Sequence, residues 1–194
     1  MARRRTRAAG TRHEARRAGR RRGARAARRV RAGAVRVVVA GGTFDKEYDE
    51  IRGRLYFKHT HLPEMLRLAR CRVDVEVETL MMVDSLDMTA ADRRRVVEAC
   101  RACPEDRIVV THGTDTMAET ARALVAARTG KTVVLTGAMI PYAFGSSDGL
   151  FNLGSALSFA QVLRPGVYVA MNGRVFAGDR VRKDRETGVF EELP

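Results

Sequence analysis

The chain has 194 residues, 45% of them hydrophobic, enough for one domain with a single core and too few for two full domains. Its formal net charge is +13, but fourteen Arg against one acid, Glu14, put all of it in residues 1–34 and leave 22 basic and 22 acidic side chains in residues 35–194. This speaks against a nucleic-acid partner, whose binding face spreads Lys and Arg among aromatics, and no apolar run approaches the roughly 18 residues that a membrane span needs.

In chain order, residues 1–34 are rich in Arg, Ala and Gly and contain no aromatic residue. A self-repelling, disordered tail that is dispensable for catalysis is expected there. No Met lies between Met1 and Met65, so translation from Val30 or Val35 would remove most or all of it. "VRVVVA" (35–40) predicts a buried strand ending in Gly41-Gly42, and residues 41–62 read as a loop. "PEMLRLA" (63–69) reads as a short helix. "RVDVEVETLM" (72–81) reads as a strand in which Asp74, Glu76 and Glu78 alternate with Val on one wet face. Thr89 with Asp92 three residues on forms a capping pattern for a helix over residues 90–102.

"RIVVTH" (107–112) predicts a strand, followed by a helix from Met117 to Arg128 that ends near Gly130. "TVVLTG" (132–137) is a strand, residues 149–163 a helix, and "GVYVAMN" (166–172) a final strong strand. No internal repeat is present. The alternation of strand and helix implies an α/β domain with a largely parallel sheet. Three loops at strand ends, 41–62, 113–116 and 137–148, are rich in Gly, Thr, Ser and Asp, and in such sheets they converge on one crevice.

Cys71, Cys100 and Cys103 are an odd number in a chain without a signal-peptide core, which fits a reducing cytoplasm. Cys100-x-x-Cys103 has neither a second pair at zinc spacing nor the strand-turn-helix context of a redox site. "TGKT" (129–132) ends like a phosphate loop, but Val125 stands where its first Gly belongs and the order is helix to strand. "AGGTFD" (40–45) lacks the GxGxxG spacing. Nucleophilic catalysis fits better: Thr43 and Thr114 follow strand ends beside Gly41, Gly42 and Gly113, whose flexible backbone allows close approach to a ligand and free N–H groups for an oxyanion. Taken alone, each strand-end threonine reads first as a cap or turn former, and spacing does not single out the catalytic role.

The blocks "AGGTFDK" (40–46), "DSLDM" (84–88), "VTHGTDTMAET" (110–120), "VVLTGAMIP" (133–141), "SSDGLFN" (146–152) and "MNGRVFAGDRVRK" (171–183) resemble, in order, those of the bacterial-type L-asparaginase family. The resemblance covers nearly all of residues 35–184. It implies a doubly wound, mainly parallel sheet with helices on both faces, Rossmann-like or flavodoxin-like, that hydrolyses the side-chain amide of L-asparagine without metal or cofactor. Thr43 and Tyr56 match the family's first threonine and the tyrosine that activates it. Thr114, Asp115 and Lys183 match a Thr-Lys-Asp set; which threonine attacks is left open. Ser85 matches the residue that holds the substrate α-carboxylate, Asp115 also the receiver of the α-amino group, and Gly42, Gly113 and Ala138 complete the substrate-binding set. Lys183 could serve as a base only with its pKa depressed by burial.

The resemblance further implies a homo-oligomer and no membrane partner. Family members usually continue into a second domain that supplies an acid to a neighbouring subunit's site, and the chain runs only 11 residues past Lys183. Either another acid orients Tyr56, with Glu47, Asp49 and Glu50 of the same loop as candidates, or the role goes unfilled; taken alone, the three acids read first as solvent-facing loop residues. Leu86 stands where many members carry Gln, and Ile140 where many carry Arg, which implies weak substrate binding and low glutaminase activity. The rival expectation is a catalytically weak binding module of this fold whose Arg-rich tail holds RNA or an anionic surface.

Overall fold

Residues 33–193 are described from a computed structural model of the chain. Apart from Gly33 and Ala34, the expectations for the Arg-rich segment therefore lie outside the described residues; Ala34 itself is buried. Strand β1 (Val35–Gly41) leads through a hairpin of β2 (Lys46–Asp49) and β3 (Arg54–Phe57) to helix α1 (Leu62–Leu68). Then come β4 (Val75–Val83), α2 (Ala90–Ala102), β5 (Arg107–Thr111), α3 (Met117–Ala127), β6 (Thr132–Thr136) and α4 (Gly149–Val162). The chain continues through β7 (Gly166–Met171), β8 (Arg174–Ala177), β9 (Val181–Lys183) and β10 (Phe190–Glu192). No helix of the described residues is long and apolar enough to cross a membrane.

Two parts of the chain differ from the sequence expectation. Residues 41–62 are not one loop, because β2 and β3 pair antiparallel within it. Their sequences, KEYD and RLYF, lack apolar alternation; the hairpin is closed instead by Asp49 Oδ1 accepting from the N–H groups of Ile51 and Arg52. Beyond β7 the chain makes three further short strands. Asn172 and Gly173 both take positive φ, 54° and 78°, the two-residue turn whose twist matches a hairpin, and β8 folds back antiparallel on β7.

The main sheet has the order β4-β1-β5-β6-β7-β8, with all neighbours parallel except β8. Alternate residues of the central strands feed two cores. Val38, Ile108, Val110 and Leu135 pack with α2 and α3, whereas Val37, Val39, Val109 and Val134 pack with α1 and α4. Such two-sided burial explains why these strands read as continuous apolar runs. The helix α2 starts where its capping box stands, Thr89 and Asp92 bonding reciprocally.

Strand order reverses between β1 and β5, since β1 connects outward to β4 while the later strands step the other way. That switch point is where strand-end loops part and leave a crevice. The β6–α4–β7 connection steps in the same direction as β5–α3–β6 but carries its helix on the opposite face. Its hand is therefore opposite to that of the other crossovers, a departure from the right-handed rule.

Candidate active site

The loops after β1 and β5 meet backbone to backbone. Gly42 has φ 90°, and a Cβ on it would overlap the backbone of His112 and Gly113. A Cβ on Gly113 would in turn overlap the Cβ and Oγ of Ser85, in the loop after β4. Glycine is required at both positions because three loops share one small volume. Thr43 begins a single 3-10 turn, Thr43–Asp45, that follows this contact. Asp45 is fully buried and its Oδ1 accepts from the His61 N–H at 2.8 Å and the Thr60 hydroxyl at 3.1 Å. Burial outweighs those bonds and raises its carboxyl above the usual range.

Thr114 and Asp115 follow Gly113, and Lys183 reaches them from the far end of the chain. Its Nζ donates to Thr114 Oγ1 and to Asp115 Oδ1, both at 2.8 Å. The lysine arrives there because β9 pairs with β10, Lys183 opposite Phe190, and because Val181 and Phe190 sink into the core under α3. Thr114 is 5% exposed and the Lys183 side chain 10%, so this ion pair is screened from water on one side, while Asp115, at 36%, opens to the crevice. The second hydroxyl of the HGTDT block does something else: Thr116 Oγ1 donates to the Ser85 carbonyl at 2.8 Å and ties the β4 and β5 loops together.

Ser85 is buried, and its Oγ has no hydrogen-bond partner among the described residues. A buried hydroxyl without a partner is costly unless a ligand completes it. Beside it, Asp84 is paired with Lys46 and accepts from the Leu86 N–H. Burial opposes its charge, yet these two partners hold its carboxyl below the usual range. Leu86 is 64% exposed, so its side chain packs little. Ala138 is fully buried in the core under α4, which leaves its backbone as the part that can meet a ligand.

Tyr56, on β3, stands directly opposite Glu47 on β2 and donates its hydroxyl to Glu47 Oε2 at 3.1 Å. That bond is the main reason the phenol is raised above its ordinary pKa. Among the three candidate acids for Tyr56, Asp49 is taken up by Arg52 and the hairpin turn, and Glu50 makes no bond to Tyr56 among the described residues. Tyr56 and Thr43 are not hydrogen-bonded to each other.

Several positioning residues lie within the motif blocks but carry no role there. His112 is fully buried: its Nδ1 donates to the Gly113 carbonyl at 2.8 Å, which leaves Nε2 to accept from Thr120 of α3 at 2.8 Å. Burial pulls its pKa down to about 4, so it braces the loop as a neutral group. Asn152, at 0% exposure in α4, donates to the Gly137 carbonyl and accepts from the Asn172 N–H, joining the loops after β6 and β7. Asp148 accepts from the N–H groups of Met139 and Ile140. The signals were available: His112 inside an otherwise apolar strand end, Asn152 on an apolar helix and the Asn172-Gly173 turn. Cys100 and Cys103 are free, buried thiols; burial raises both, Cys100 to about 12, so neither is a reactive thiolate.

A family model described as "Asparaginase, N-terminal" matches residues 34–190. The chain is 34% identical over 165 residues to L-asparaginase 1 of Escherichia coli (strain K12), covering 80% of this chain and 48% of that protein. To the L-asparaginase of Thermococcus kodakarensis it is 38% identical over 135 residues, 65% of this chain and 41% of that one. The crystal structure of L-asparaginase I from Vibrio cholerae superimposes with a TM-score of 0.75 at 28% identity, over 84% of this chain and 52% of that chain. The thermostable L-asparaginase from Thermococcus kodakarensis gives 0.69 at 32%, over 82% and 51%. The chain thus spans about half the length of these relatives.

Proposed function

Because the chain belongs to the asparaginase family, matching its N-terminal domain over residues 34–190, we propose that it is an amidohydrolase that converts L-asparagine to L-aspartate and ammonia. The observation that carries the reading is the pair of 2.8 Å bonds from Lys183 Nζ to Thr114 Oγ1 and Asp115 Oδ1, which sets a titratable amine against a hydroxyl beside the crevice. In this reading Asp115 receives the substrate ammonium, and the partnerless Ser85 hydroxyl donates to its α-carboxylate. A threonine oxygen, Thr43 or Thr114, attacks the amide carbon; when Thr114 attacks, its proton passes to Lys183 Nζ, 2.8 Å away, acting from its neutral amine form. The C–N bond breaks, the nitrogen takes a proton and leaves as ammonia, and water then cleaves the threonine ester to give aspartate.

The same proposal places residues 35–194 as the catalytic unit, residues 1–34 as dispensable, glutamine as the poorer substrate and a reducing cytoplasm as the compartment. It also includes a homo-oligomer, because Leu86, Met139 and Ile140 expose apolar side chains beside site residues. Ammonia release from asparagine by the full chain tests the reading. Turnover is expected in the wild type and should collapse in Thr43→Ala and in Thr114→Ala. A folded wild-type chain that releases no ammonia would refute it, and a truncation beginning at Gly33, which keeps the buried Ala34, tests the tail.

A further inference from the structure

Outside the bonds just described, Glu47, His59 and His61 turn one atom each toward a common point. Glu47 Oε1 lies 3.6 Å from His61 Nε2 and 3.8 Å from His59 Nδ1, and all three atoms lie within 4.8 Å of one another. These separations are too long for hydrogen bonds. The two Glu47–His distances are close to the edge of a tetrahedron of ligands around a cation with bonds of about 2.0–2.2 Å, an edge of about 3.3–3.6 Å. His61 is 8% exposed and its Nε2 is a buried atom without a hydrogen-bond partner among the described residues, so a polar group is aimed at this point and left incomplete.

The surroundings hold the three groups in place. The Thr60 hydroxyl and His61 N–H are both anchored on the buried Asp45 carboxylate, which fixes the backbone that carries the two imidazoles. The His61 ring is lodged between His59 and Tyr142, with centroids at 5.0 and 5.4 Å. Tyr56 donates to Glu47 Oε2 and so orients the carboxylate while leaving Oε1 free, the arrangement of outer partners that metal ligands use. His59, whose side chain is 59% exposed, opens the fourth position to water.

We propose that Glu47, His59 and His61 form a binding site for a borderline divalent transition cation of the Zn2+ type, two imidazoles and one carboxylate being the donor set such an ion selects. The ion itself takes no part in the proposed hydrolysis, and of its three ligands only Glu47 also serves that chemistry, as the acceptor for Tyr56. Its effect is mechanical: one ion would tie β2 to the segment after β3 and so clamp the hairpin that carries Tyr56.

The test titrates the metal-free full chain with Zn2+ against a chromophoric chelator, and follows Co2+ absorption and the thermal midpoint. The wild type should bind one Zn2+ with a rise in midpoint, as any ligand of the folded state produces. His59→Ala, an exposed position that leaves the fold intact, should weaken binding by about tenfold or more and lose the rise. His61→Gln should do the same, and the Co2+ spectrum should lack thiolate charge-transfer bands. Absence of binding in the wild type, an affinity in either variant equal to that of the wild type, or loss of binding only in Cys103→Ser would each overturn the proposal, the last by moving the metal to the thiols. An ordinary Glu47–His61 ion pair gives none of the expected signals.

Discussion

Gly113 packs on Ser85 so closely that one methyl group at the glycine would overlap the serine's Cβ and Oγ. Gly113→Ala should therefore push the Ser85 hydroxyl away from the crevice. The cost is expected near the usual range for overpacking, about 1–3 kcal/mol, together with a raised Michaelis constant for asparagine. Thermal melts and ammonia-release kinetics measure the two effects, and an unchanged Michaelis constant would detach Ser85 from substrate binding.

Removing the Lys183 ammonium should be catalytic in its consequence and mild in its structural one. Lys183→Met keeps the aliphatic stem among its neighbours and deletes both 2.8 Å bonds. Loss of a proton-transfer group costs about 10²–10⁴-fold in rate. Ammonia release should fall within that range while the circular dichroism spectrum stays unchanged. Retention of near wild-type turnover would remove Lys183 from the mechanism.

The hairpin distinguishes three acids that lie within four positions of one another. Glu47→Gln leaves Tyr56 without its carboxylate acceptor, whereas Asp49→Asn and Glu50→Gln leave that bond intact. Only the first should lower kcat. Comparable kinetics in all three variants would mean that Tyr56 needs no acid from its own loop.

His112 sets an acid limit on stability. Its folded pKa, about 4, lies below the ordinary 6.5 because of burial. The unfolded chain therefore binds the proton first, and stability is lost as pH falls from 6.5 toward 4, with no effect of this group above 6.5. The full span corresponds to roughly 3 kcal/mol. Denaturant midpoints across this window should fall less steeply for His112→Gln, and parallel curves for the two proteins would show that His112 is not the responsible group.

Leu86 is 64% exposed next to Ser85, so a polar replacement costs little packing. A glutamine there could donate to the substrate carboxylate. A hydrogen bond to a charged group contributes about 1.5–3 kcal/mol, equivalent to a Michaelis constant lower by about tenfold or more. Leu86→Gln should show this for asparagine and raise relative activity on glutamine; no gain with either substrate would mean that the side chain does not reach the ligand.

Features that repeat locally are legible in the amino-acid pattern alone. Continuous apolar runs marked β1, β5 and β6 because both faces of those strands are buried, and Thr89 with Asp92 marked the start of α2 because a cap acts within one turn. The motif blocks alone point to Thr43, Ser85, Thr114, Asp115 and Lys183. How those residues meet depends on long-range packing. The three acids near Tyr56 are equivalent by spacing, and it is the β2–β3 register that sets Glu47 opposite the tyrosine. Lys183 reaches Thr114 across 69 positions because Phe190 and Val181 bury the final hairpin under α3. Glu47 meets His61 because a buried Asp45 holds the intervening chain. Local periodicity acts over two to four residues, whereas these pairings depend on how two cores and a reversed crossover close around the sheet, and no window of sequence contains that information.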